Sequence, residues 1–335
     1  MKKIQVLALG ILFLWGCDKG QDSVAPSGNS TSSNSTSNGS VANGGNGSST
    51  AGGSGSNTGS SPSSTSAGIS VWHWGSDSNP FGINNVIGDP IKVNEMVAQY
   101  KKYGVNRVYG GYSLMPGYWK DKVAAWNKRL KKEKIASSYL IGNAQWIYPE
   151  NRAAMLKHIT DYYINFNKSV DDSSKMQGLH VDIEPQQLAE WSSSSLSRKR
   201  ELMVMLKETY KDIKNLLTSS GIAETNLSAD IPVWFDNVSS VGWTSEADRN
   251  AWFLEVGKFV GSFTLMAYEV KSVDVIIDRT TWERTNFAST EVGLDIGDLG
   301  TIWSSKDELM GALSSIRTRT KQPVALHSFA DFLKS

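Results

Sequence analysis

Gly178-Leu179-His180-Val181-Asp182-Ile183-Glu184-Pro185 alternates apolar and polar residues without a break. On an extended strand successive side chains point to opposite faces, so Leu179, Val181 and Ile183 share one face and His180, Asp182 and Glu184 the other. Burying an imidazole and two carboxylates in one row is costly unless they find partners. The row makes sense if it lines the interior of a parallel barrel and climbs to an open, wet mouth, because barrel enzymes carry their catalytic residues at the C-terminal ends of strands. Glu184 is the last of the row. Pro185 then stops the strand, since it cannot donate to the ladder.

Outward from this row, strand-like runs recur at 69–74, 106–112, 135–141, 227–234, 261–269, 291–297 and 323–329. Helical apolar spacing lies between them, at 91–103, 118–134, 149–167, 197–217, 248–260, 270–290 and 306–320, while 75–90 is rich in Gly, Asn, Asp and Pro and reads as a loop. The organising row is the fourth of eight strands. That alternation, over residues 68–335, is an α/β pattern of the length of one (β/α)8 TIM barrel. An open doubly wound sheet is the competing fold, but no glycine-rich phosphate loop follows any of the strands.

The chain begins differently. Lys2 and Lys3 precede an apolar run, Ile4 to Trp15, that is too short to span a bilayer. It ends in Leu14-Trp15-Gly16-Cys17, which resembles the lipobox of bacterial lipoproteins. The resemblance implies a signal peptide over 1–16, cleavage before Cys17, and lipidation (palmitate) of that cysteine. Residues 17–67 are mostly Ser, Gly, Asn and Thr after the first few, which predicts a flexible tether to a membrane. The expected location is therefore the bacterial cell envelope, on the periplasmic face or the cell surface. Cys17 is the only cysteine, so neither a disulfide framework nor a thiolate metal site is expected. A net charge of +1 gives no electrostatic case for nucleic acid, and a monomer is expected.

Two stretches resemble the family 18 glycoside hydrolases, the chitinase-like barrels. The fourth strand of that family reads Asp-Gly-x-Asp-x-Asp-x-Glu, against Gln177-Gly178-Leu179-His180-Val181-Asp182-Ile183-Glu184 here. The sixth reads Met-x-Tyr-Asp, against Met266-Ala267-Tyr268-Glu269. The resemblance implies that Glu184 is the general acid. It implies that Asp182 orients a substrate N-acetyl group as internal nucleophile, and that Tyr268 hydrogen-bonds the same group. Gln177 and His180 stand where the family has aspartates, which puts substrate-assisted cleavage in question.

The residues make their own case. Glycoside cleavage uses one carboxyl group to protonate the leaving oxygen and, in most families, a second to attack or stabilise the cationic centre. Glu184 fits the acid, since apolar surroundings and a neighbouring anion both raise a carboxyl pKa. The second carboxylate is open among Asp182, Glu269, Asp295 and Asp230. Trp72, Trp74, Trp234 and Trp303, with Trp146, Trp243 and Trp282, lie mostly at strand ends, where flat rings can stack on sugars. His180 and His327 join Trp72, Trp74, Trp234, Trp303, Asp230 and Asp295 as candidate substrate contacts. His73, His180 and His327 with Asp182 keep a metal-dependent hydrolase open as a rival, although no HxH or HExxH pairing supports it. Arg107 suits either an acidic sugar or an interior ion pair.

The reading is a lipid-anchored glycoside hydrolase acting on a polysaccharide, with N-acetylated and amino-sugar polymers among the candidates, and with no cofactor and no metal. The alternative is a carbohydrate-binding barrel that has lost catalysis.

Overall fold

The computed structural model describes residues 68–222 and 226–335. The signal segment 1–16, Cys17 and the tether 17–67 lie outside the described residues. Strands β1 (Ile69–His73), β2 (Val105–Gly110), β3 (Ala136–Ile141), β4 (Gly178–Val181), β5 (Asn226–Pro232), β6 (Ser262–Met266), β7 (Thr290–Asp295) and β8 (Val324–His327) alternate with helices. They pair in parallel and in sequence order, and β1 also pairs with β8, so the sheet closes into a barrel. This is the (β/α)8 barrel expected from the alternation of patterns.

Helix starts follow local chemistry. Asp89 caps Pro90–Lys102 by accepting from the Ile91 and Lys92 N–H groups, with Pro90 at the first helical position. Ser195 and Ser305 cap Leu196–Ser219 and Lys306–Thr320 in the same way. Three expectations need correction. The run 270–290 is two short helices, Val273–Arg279 and Thr281–Asn286. The supposed loop 75–90 contains a helical turn, Ile83–Val86. The last strand stops at His327, because Ser328 accepts from the Asp331 N–H and starts a closing helix, Phe329–Lys334, whose Phe329 and Phe332 are buried. The helix from Pro149 runs on through a π-helical turn, Thr160–Ile164, to Ser169.

Two apolar layers result. Outward-facing strand residues such as Val71, Val108, Leu179, Val181 and Leu265 pack on the helices in one large cluster. Inside the barrel lies a separate cluster, Trp72, Tyr109, Leu140 and Ala325, with Trp74 above it. Most of the rest of the interior is polar: Ser138, His180, Ser228, Asp230, Thr264 and Glu291 are all buried. Gly293 makes room for this filling, since a Cβ there would meet the Trp72 ring at 2.9 Å.

Candidate active site

The deeper interior holds two hydrogen-bonded clusters, while Ser138 Oγ on β3 has no partner. Trp72 Nε1 donates to Asp230 Oδ2 at 2.9 Å, and His180 bridges Asp230 Oδ1 at 2.8 Å and Ser228 Oγ at 2.7 Å. The His180 ring stacks on Tyr109 with centroids 3.7 Å apart. Tyr109 and Thr264 both donate to Glu291 Oε1, at 2.5 and 2.7 Å. Burial pushes the His180 ring down to about 4, so it is neutral and carries one ring proton.

The chain leaves the ladder just above. β4 ends at Val181, so Asp182 and Glu184 sit on the segment climbing from it, while the Asp182 N–H still bonds Ile141 O at 2.8 Å. Gly142 permits that close passage, because a Cβ there would lie 2.1 Å from the Asp182 carbonyl oxygen. Asp182 and Glu184 are half-buried as whole residues, in contrast to His180 below them. The row therefore runs from a closed floor to an open mouth, as its alternation implied.

Burial, with the neighbouring Asp230, pushes the Asp182 carboxyl up to about 7. Glu184 is also raised, by burial and then by the Asp182 and Asp230 carboxyls, against the pull of two amide donors. Those donors are the side chains of Gln186 and Gln187, each bonded to one Glu184 oxygen. Asp182 Oδ1 and the Tyr268 hydroxyl are buried yet have no hydrogen-bond partner. Other buried polar atoms, among them Ser138 Oγ and Trp303 Nε1, also lack partners, but these two belong to residues close enough for the Asp182 charge to act on the Tyr268 phenol.

Across the mouth, Trp74 Nε1 donates to His327 Nε2 at 3.1 Å, and His327 Nδ1 meets Asp295 Oδ1 at 3.0 Å. An indole nitrogen only donates, so Nε2 must accept and the ring proton sits on Nδ1, facing Asp295. Burial pulls the His327 pKa down, but Asp295 outweighs it and the net shift is upward. Tyr268 packs beside His327, with ring centroids 5.7 Å apart.

Several expected contacts are corrected. Trp72 and Trp303 are 1% and 5% exposed, so neither offers a face to a ligand. His180 and Asp230 are wholly interior and touch each other. Glu269 is exposed on a residue with φ 58°, three residues past the end of β6, and its backbone N–H donates to Asp298 Oδ2. Trp243 is core, donating to the Phe235 carbonyl. The three histidines do not converge: His73 faces the helices, bonded to the Tyr100 hydroxyl and the Phe81 carbonyl. Among the described residues no group of three or more His, Cys, Asp or Glu is placed to hold a metal ion. Arg107, half-buried on β2, acts on Tyr109 and His180 in the floor.

Trp74 and Trp234 remain half-buried, Trp234 beside Trp191 and Phe235. The sequence reading missed Tyr109, Thr264 and Glu291. Their signal was the same alternation: Glu291, Gly293 and Asp295 share one face of β7, as Arg107 and Tyr109 share one of β2.

No family model and no curated protein matches the sequence. Solved structures do match. A GH18 chitinase from Pseudoalteromonas aurantia superposes with a TM-score of 0.51 at 10% identity, covering 79% of this chain and 94% of that one. The glycoside hydrolase domain of PgaB (BpsB) from Bordetella bronchiseptica gives 0.46 at 10% identity, over 79% and 97%. An L-ribulose 3-epimerase gives 0.45 at 14% identity, over 78% and 81%. What the chain shares with the chitinase is the barrel.

Proposed function

We propose that the chain is a glycoside hydrolase that cuts a polysaccharide at the mouth of the barrel, with Glu184 as its general acid. The observation that carries the reading is the pairing of a raised, half-buried Glu184 with the unpartnered Asp182 Oδ1 and Tyr268 hydroxyl at one strand end. Glu184 would give its proton to the glycosidic oxygen as the C–O bond breaks, and a water would then bond its oxygen to the anomeric carbon and return a proton to Glu184. Asp182 and Tyr268, whose polar atoms lack a protein partner, would hold the sugar beside the breaking bond. The family 18 motifs support an N-acetyl oxygen as the group they hold, and thus N-acetylated or partly deacetylated amino-sugar polymers as substrates. Trp74 and Trp234 supply half-open rings for stacking. The reading includes a lipid on Cys17 and a location in the cell envelope. Incorporation of labelled palmitate, lost in Cys17→Ser, tests that part.

One observation favours a second reading, a glycan-binding barrel without catalysis. Both Glu184 oxygens accept amide hydrogen bonds, which suit a carboxylate more than an acid. Incubating the full chain and its Glu184→Gln variant with a panel of amino-sugar and neutral polysaccharides separates the two. New reducing ends from the parent alone support the hydrolase. Equal binding by both, with no new ends from either, supports the binding barrel.

A further inference from the structure

Trp74 and His327 meet above the seam where β1 pairs with β8, and the sense of their hydrogen bond limits what His327 can do. The Trp74 indole reaches His327 Nε2 at 3.1 Å, and an indole nitrogen only donates. Nε2 is therefore bare. The single proton of the neutral ring lies on Nδ1, 3.0 Å from Asp295 Oδ1. A second proton has only Nε2 to go to, where it would point at the indole N–H. Two donors cannot share one contact, so a charged His327 and the Trp74 bond exclude each other.

The other contacts of Trp74 are less directional. Its half-buried ring rests on Gly111, where a Cβ would lie 2.8 Å from Cε3, and packs on the interior cluster of Trp72, Tyr109, Leu140 and Ala325. Apolar contact keeps a ring in place without fixing its rotation, which a hydrogen bond does fix.

We propose that His327 is a positioning residue for Trp74: the neutral ring pins the indole at the mouth, and a second ring proton breaks that bond and frees it. Asp295 is the group that makes the second proton attainable. It stands at the end of β7, held by the Gly297 N–H, and its charge favours an imidazolium beside it. Burial opposes that, while Asp182 on β4 and Asp230 on β5 add to Asp295, and the net shift of His327 is upward. The remaining neighbours are uncharged: the Trp72 ring at 5.6 Å, and the Tyr268 ring at 5.7 Å, whose phenol is raised well above its ordinary value. Of the four histidines, His327 alone is raised; burial pulls His73 and His180 down to about 4, and lowers His158 too. Trp74 is thus pinned at high pH and released as pH falls through the His327 midpoint. Only the consequence for a sugar rests on the glycan reading, in which a freed ring stacks less well.

The test needs no substrate, so its result stands whether or not glycan cleavage is found. The full chain, with 15N in its histidine and tryptophan rings, is titrated by NMR. The Trp74 indole signal is identified by its loss in Trp74→Phe, and His327 as the histidine that titrates highest. The two signals should move with one midpoint. Trp74→Phe removes the donor that opposes the second proton, so it should raise the His327 midpoint by about 0.4–1 pH unit, the equivalent of one hydrogen bond. His327→Gln keeps an acceptor for the indole but takes no proton, so there the Trp74 signal should not move with pH. An indole signal that ignores the His327 midpoint, a midpoint unmoved in Trp74→Phe, or a His327 ring that never takes a second proton while the chain is folded overturns the proposal. If His327→Gln does not fold, the parent and Trp74→Phe decide the matter between them.

Discussion

The floor and the mouth of this barrel use the same residue types to opposite ends. In the floor, the Tyr109 hydroxyl, the Thr264 hydroxyl and the Glu291 carboxylate satisfy one another, as do Trp72, Asp230, His180 and Ser228. At the mouth, the Tyr268 hydroxyl and Asp182 Oδ1 are buried without partners. A satisfied buried network stabilises and fixes a structure, whereas an unsatisfied buried group costs free energy until something binds it. The difference separates a layer whose named groups satisfy one another from one with polar atoms to spare. Residue type alone does not distinguish them.

That contrast can be broken by experiment. The largest effect is expected at Glu184. Glu184→Gln keeps the shape but cannot supply the proton, so release of reducing ends should fall by about 10²–10⁴-fold with the melting temperature nearly unchanged. In the floor the expectation reverses. Glu291→Ala leaves the Tyr109 and Thr264 hydroxyls without their acceptor, at a cost of about 1–3 kcal/mol for each in denaturant unfolding.

Two tyrosines then give a sharper comparison. Tyr268→Phe should leave unfolding free energy within about 0.5 kcal/mol of the parent. The same change should slow cleavage by about 2–10-fold, the equivalent of one hydrogen bond to a neutral acceptor. Tyr109→Phe should lower stability by about 1 kcal/mol and affect cleavage far less. If both substitutions act alike, the division between floor and mouth is wrong.

A further comparison is the pH dependence of stability. The Asp182 carboxyl ionises near 3.8 in an unstructured chain and at about 7 when folded, so the folded state binds its proton more tightly. Its contribution to stability is complete below the unfolded value and is lost as pH rises through about 7. Asp182→Asn should therefore raise the melting temperature relative to the parent more at pH 8 than at pH 4. An equal difference at both pH values would mean that the Asp182 proton is not held by the fold.

Much of this was legible in the sequence because it depends on local periodicity. The alternation in 178–184 placed His180, Asp182 and Glu184 on one face, and the barrel puts that face inside. The apolar spacing of 306–320 matched its helix end for end. The tryptophans were not legible in this way. Trp72 and Trp74 are two apart on one face, yet Trp72 is sealed below the mouth and Trp74 is half-buried at it. Glu269 looked like a strand-end carboxylate, but β6 ends at Met266 and the chain turns out through φ 58°.

The sequence by itself determined the order of strands and helices, the closed parallel barrel, and which face of β4 is polar. The elements and the polar face follow from periods of 2 and 3.6 along the chain and from the capping residues. The barrel follows from the count of eight strands with no glycine-rich phosphate loop after any of them. Only the tertiary structure decided which polar side chains find partners. Glu291 meets Tyr109 across a separation of 182 positions, and Trp72 meets Asp230 across 158. Those contacts depend on strand register around a closed barrel, in which a side chain's height above the floor sets whether its neighbours are protein or solvent.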